Sequence, residues 1–185
     1  MNNQRGMLLI EVLVSIFVAA IALLGTVTMM AKSTRTEMES YQRVQALTLV
    51  QDMVSRINAN RQVADCYSNG TTGLTAGNVA TALPICASGT TAQSATANND
   101  LTAWQNSLRG AAEVSNGSKV GAMIGAVGCI ERIGTIVQVY RVTVAWQGMA
   151  ATKAPAGLAC GKDQFGLDTF RRAVSVEIQI ANLST

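Results

Sequence analysis

The sequence predicts an α+β chain: one long N-terminal α-helix, half of it transmembrane and half amphipathic, packed on a small antiparallel β-sheet. Three observations predict it. Residues 12–31 read VLVSIFVAAIALLGTVTMMA, twenty residues without a charge. Residues 32–60 contain neither proline nor glycine, and apolar side chains recur there at three- and four-residue steps. From Gly128 onward the period changes to two.

The charge-free run comes first. Twenty helical residues rise about 30 Å, the thickness of a bilayer's hydrocarbon core. No other stretch of the chain is long and apolar enough to cross a membrane. Glu11 sits at the edge of this run, preceded by Met7, Leu8, Leu9 and Ile10. A carboxylate in lipid costs a few kcal/mol unless it has a partner; in the headgroup region the cost shrinks. Gly6 bears on which applies. A cut after Gly6 leaves Met7 with a free amino group four residues before Glu11. Amine and carboxylate then lie at similar depth, and identical helices can pair them across one another.

Gly6, then Met7-Leu8-Leu9-Ile10, then Glu11, then a long apolar helix resembles the class III prepilin signal of type IV pilins and type II secretion pseudopilins. The resemblance implies that a prepilin peptidase removes residues 1–6 by cutting after Gly6 and methylates the new N-terminus at Met7. It also implies that Glu11 helps the subunit enter a filament by compensating a neighbour's terminal amine. The family's usual first mature residue is phenylalanine, and this chain departs from that with Met7. A secretory signal peptide is the competing local reading; its apolar core is shorter and a small-residue cleavage site follows it. Arg5 on one side and Lys32 and Arg35 on the other leave the orientation undecided by charge. The resemblance implies an inner-membrane anchor with the C-terminal domain in the periplasm.

Beyond residues 7–31 the helix is expected to continue over residues 32–62. Met38, Tyr41, Val44, Leu47, Val50, Val54 and Ile57 form one stripe to bury, with Glu37, Glu39, Gln42, Arg43, Gln45 and Arg56 mostly elsewhere. Asn58 and Asn60 are stop signals. One helix of some fifty residues is on the order of 80 Å long. A coiled-coil stalk would want a longer sustained heptad.

Residues 63–185 make the globular domain. Residues 68–99 carry turn and loop chemistry, including Ser68-Asn69-Gly70-Thr71-Thr72-Gly73 and Ser88-Gly89-Thr90-Thr91, and are expected to be a surface loop. Residues 99–108 predict a short helix capped by Asn99 or Asp100, with Leu101, Trp104 and Leu108 on one face. Trp104 is expected to seal the core against the long helix. Residues 129–133, 135–146 and 170–180 predict half-buried antiparallel strands. In the second, Tyr140, Val142, Val144 and Trp146 alternate with Val139, Arg141, Thr143 and Ala145. In the third, Phe170, Arg172, Val174, Val176, Ile178 and Ile180 alternate with Arg171, Ala173, Ser175, Glu177 and Gln179.

Composition narrows the chemistry. The 185 residues carry a net charge of +3, too small and dispersed to indicate a nucleic-acid partner. The absence of histidine removes Ser-His-Asp and Cys-His nucleophiles and histidine metal ligands together. Asp163 and Asp168 share a loop but lack a further set of oxygen ligands for calcium. Neither catalysis, a metal nor another cofactor is expected. Cys66, Cys86, Cys129 and Cys160 include no C-x-x-C, and an even count after an export segment favours disulfides. Four cysteines allow three connectivities; Cys66–Cys86 and Cys129–Cys160 are preferred because both close short local loops.

The order of elements resembles the pilin fold throughout. Size, the Asp100-Leu101-x-x-Trp104 segment and the strand from Tyr140 to Trp146 are similar to minor pilins of the PilV type. That resemblance implies a structural subunit near a pilus tip, supporting pilus initiation, adhesion and twitching motility. The implied partners are the prepilin peptidase, the major pilin and other minor pilins, the inner-membrane assembly platform and a tip adhesin. A minor pseudopilin of a type II secretion system shares the whole N-terminal pattern. A single-pass periplasmic binding protein that never assembles is the reading from another class.

Overall fold

The computed structural model describes residues 5–77, 82–110, 114–115, 118–119, 123, 125–134 and 137–181. Residues 1–4 of the expected leader lie outside them, as does the side chain of Met7. The chain divides into two compact units, Met1–Ser40 and Tyr41–Thr185.

A single helix, α1 (Arg5–Ala59), runs through the first unit and into the second. No proline interrupts it, and it ends at Ala59, just before Asn60, whose backbone leaves the helical region (φ −119°, ψ 38°). A 3-10 turn (Arg61–Val63) and a one-turn helix α2 (Ala64–Tyr67) follow.

The second unit contains an α-helix α3 (Thr91–Leu108) and strands β1 (Leu74–Gly77), β4 (Val127–Arg132), β5 (Gln138–Gln147) and β6 (Arg171–Ile180). The four strands form one antiparallel sheet in the order β1-β4-β5-β6, with Gly128 opposite Val144 and Tyr140 opposite Ile178. Two-residue strands β2 (Val114–Ser115) and β3 (Ser118–Lys119) pair antiparallel as a separate two-stranded sheet.

The stretch expected as loop 68–99 contains one strand and the start of a helix. Residues 74–77 are strand β1, the expected sheet's missing edge, and α3 begins at Thr91 rather than at residue 99. The cap is Thr90, not Asn99 or Asp100. Its side chain accepts from the Gln93 amide at 3.3 Å, and the Gln93 side chain accepts from the Thr90 amide at 2.9 Å, a reciprocal capping box. β5 begins at Gln138; residues 135 and 136 of the strand expected there lie outside the described residues.

The core lies on one face of the sheet. Val50, Met53 and Ile57 of α1 and Ala97, Leu101, Trp104 and Leu108 of α3 meet Ile130, Tyr140, Val142, Val144 and Trp146. The expected stripe on α1 is corrected in its first half: Met38, Tyr41, Val44 and Leu47 are exposed, and the buried line runs through Gln42, Ala46, Val50, Met53 and Ile57. A run of apolar residues wide enough to wrap the helix has more than one three-and-four path through it. Part of the sheet's other face is covered too, although Ser175, Glu177 and Gln179 of β6 stay exposed on it. Thr143 and Ala145 are buried because the segment 148–168 lies over them, bringing Cys160 and Phe165 against Val127, Cys129 and Ala145.

Candidate functional site

In the first unit the candidate residues share one helix. Gly6 and Met7 lie in the first turns of α1, and Glu11 follows one turn after Met7, about 6 Å along the axis. Glu11 is exposed and is the one ionisable residue between Leu9 and Ala31. Every large apolar side chain described from Leu9 to Met30 is more than half exposed, and none of the apolar window is buried inside the protein. The helix is therefore long and apolar enough to cross a membrane. Its polar groups suit such a medium. Ser15 donates to the Glu11 carbonyl at 2.7 Å, Thr26 to Leu23 and Thr28 to Gly25, each at 2.8 Å, so no hydroxyl needs water.

In the second unit the cysteines form two bonds, Cys66–Cys86 and Cys129–Cys160, with Cα atoms 5.2 and 5.8 Å apart. Trp104 is fully buried and its Nε1 donates to the Leu49 carbonyl of α1 at 2.9 Å.

Three polar clusters escaped the sequence. Tyr67 donates to Asp100 at 2.6 Å, and Arg56 donates to both Asp100 (2.8 Å) and Asp52 (3.0 Å). Tyr140 donates to Asp65 at 2.7 Å, and Arg132 pairs with both oxygens of the same carboxylate at 3.0 Å. Burial, reinforced by the adjacent carboxylate, pushes both tyrosine hydroxyls well above their ordinary value. The hydrogen bond to Asp52 leads the causes that raise Arg56. In the third cluster the buried Arg171 guanidinium donates to the carbonyls of Leu158 (2.7 Å), Cys160 (3.1 Å) and Pro155 (3.3 Å) and pairs with Asp168. This side chain holds segment 148–168 on the sheet; one of two adjacent arginines at a strand start gives no sign of it. Asp168 is thus engaged by Arg171, and among the described residues no group of three Cys, Asp or Glu side chains is placed to hold a metal.

A cleft of about 290 Å³ opens between Asp65, Asn69 and Gly70 on one side and the segment Pro84 to Ser88 on the other, with Cys66 and Cys86 in its lining.

Comparison of the chain with protein-family models, curated proteins and solved structures returned no match.

Proposed function

We propose that the chain is a minor pilin of a type IV pilus. In this reading it is a structural subunit, cut after Gly6 by a prepilin peptidase, methylated at Met7, and held in the inner membrane through residues 7–31. It then passes into a helical assembly near the pilus tip. One observation carries the proposal: a helix exposed along its whole apolar length, with a single carboxylate at its edge one turn from the new amino group. Lipid and neighbouring helices are alternative covers for such a surface, so extraction from one into the other need not be steeply uphill. An unpaired Glu11 in a low dielectric is costly, and pairing with a neighbour's amine removes that cost.

A second feature supports assembly. Within the second unit the outward side of α1 presents Tyr41, Val44, Leu47, Thr48, Gln51 and Ser55, all exposed and none charged. That composition suits packing against further helices. Partners would be the major pilin, other minor pilins, the inner-membrane assembly platform and a tip adhesin, with adhesion and twitching motility as the outcome. These roles follow from the resemblance to minor pilins carried by the chain's size, the Asp100-Leu101-x-x-Trp104 segment and the strand from Tyr140 to Trp146.

N-terminal mass spectrometry of the protein from its host's membranes tests the processing. A chain beginning at N-methylated Met7 is expected; one beginning at Met1 in cells with active prepilin peptidase would overturn the proposal. Glu11→Ala is expected to be cut normally yet to enter filaments poorly. A minor pseudopilin of a type II secretion system shares these expectations, and a deletion strain separates them: loss of surface pili fits the proposal, loss of exoprotein secretion with pili intact does not.

A further inference from the structure

The two disulfides sit in unlike surroundings. Cys129 belongs to the interior strand β4, and Cys160 is packed with Val127, Ala145 and Phe165 beneath segment 148–168. Arg171 fastens that segment through the Cys160 carbonyl, and the backbone at Gly161 already lies so close to Ala145 and Phe165 that a Cβ there would press on both. A reagent approaching these sulfurs has to lift the segment first.

Cys66–Cys86 is placed otherwise. Cys66 is half-buried in α2, and Cys86 lies in residues 82–90, which have no regular secondary structure. The Cys86 amide donates to Asn98 Oδ1 at 2.8 Å, and the next firm hold is the Thr90 cap of α3. Both cysteines line the 290 Å³ cleft, and Ile85, also in its lining, is 84% exposed, an apolar foothold beside the bond.

We propose that Cys66–Cys86 is a thiol–disulfide exchange site, and that the cleft beside it seats a dithiol oxidoreductase to which Cys129–Cys160 is closed. Exchange requires access as well as a reactive thiolate. The partner's thiolate attacks Cys66 Sγ, the less covered of the two. A bond forms between that sulfur and Cys66, the Cys66–Cys86 bond breaks, and the electron pair leaves on Cys86 Sγ, which takes a proton from water. The partner's second thiolate then attacks the partner's own sulfur in the mixed disulfide. Cys66 leaves as a thiolate and is protonated. The chain's disulfide has been reduced to two thiols and the partner's dithiol oxidised to a disulfide. Run backward with an oxidised partner, the same steps install the bond. The freed Cys86 thiol has an acceptor nearby, the Ser88 carbonyl 3.6 Å from Sγ.

The test uses the full chain in detergent micelles with reduced thioredoxin, dithiothreitol as a small reagent, and alkylation mapped by mass spectrometry. Cys66 and Cys86 are expected to be alkylated at least about tenfold faster than Cys129 and Cys160. Thioredoxin lacking its second active-site cysteine is expected to be trapped on Cys66. Ala87→Trp, an exposed change in the cleft wall, is expected to slow thioredoxin about fivefold and dithiothreitol less than about twofold. Equal alkylation of all four cysteines, trapping on Cys129 or Cys160, or equal slowing of both reagents by Ala87→Trp would overturn the proposal.

Discussion

The indole of Trp104 occupies the space that Gly128 leaves by having no side chain. A Cβ at Gly128 would collide with the far edge of the Trp104 ring and with Leu108, while the ring nitrogen stays tied to the Leu49 carbonyl at 2.9 Å. One glycine in β4 thus lets α3 and α1 close on the sheet. Gly128→Val should destabilise the domain by about 3 kcal/mol, because a core with no slack answers added volume with strain. Gly25→Ala, where nothing lies within 4 Å, should leave the domain's unfolding unchanged. Urea unfolding followed by tryptophan fluorescence, in micelles, measures both; equal midpoints for the two variants would refute the packing described.

The tyrosine–carboxylate pairs predict an alkaline limit. Tyr67 and Tyr140 are neutral donors to Asp100 and Asp65, and both are raised above the ordinary tyrosine value. A group whose folded value is raised contributes stability that is complete below its unfolded value, near pH 10, and is lost as pH climbs through the folded one. Thermal midpoints should therefore fall above about pH 10, and the fall should be shallower in Tyr67→Phe and Tyr140→Phe. Each variant should also lose about 1 kcal/mol at neutral pH, the worth of one hydrogen bond. An unchanged alkaline slope in both variants would show that these hydroxyls do not titrate with unfolding.

The opposite limit belongs to Asp168. Its hydrogen bond from Arg171 holds its carboxyl below the usual range. A lowered folded value contributes stability that is present above the unfolded value, near pH 4, and lost as pH falls through the folded one. Amide protection in residues 149–167, taken relative to intrinsic exchange at each pH, should fall on acidification before protection in α3 does, and Asp168→Asn should remove that early phase. Arg171→Met, which orphans three carbonyls and a carboxylate, should cost about 3 kcal/mol at pH 7. Simultaneous exchange of both regions at every pH would contradict a locally fastened segment.

What the sequence disclosed and what it hid divide along physical lines. Long-period signals were legible: the apolar helix, the switch to period two, and Trp104 as a core residue facing α1. Short or polar elements were not. β1 has four residues, too few to show an alternation, and exists because β4 offers it an edge. The first two turns of α3 are built from Thr, Ala, Gln, Ser and Asn. Their composition reads as loop, although Thr90 and Gln93 already stand at capping-box spacing. Gln42 inside and Tyr41 outside reverse what hydropathy alone would assign. At the N-terminus the placement alone was legible: Gly6, Met7 and Glu11 fall on one helix, as the unbroken apolar run implied.

The two sides of α1 within the second unit supply the sharpest contrast. Val44 is 59% exposed and Val50 is fully buried, although both are valines six residues apart on one helix. Val50→Lys places an ammonium in the core without a partner and should cost several kcal/mol, unfolding much of the population. Val44→Lys places the same ammonium in solvent and should shift stability by less than about 0.5 kcal/mol. If the outward side of α1 packs against other subunits, Val44→Lys should nonetheless lower incorporation into filaments, since the charge would be desolvated only in the assembly. Unfolding midpoints of the isolated variants and their recovery in sheared filaments separate the cases. A folded Val44→Lys chain that assembles at the normal level would remove this side of the helix from the interface, while leaving the role of Glu11 to be judged by its own substitution.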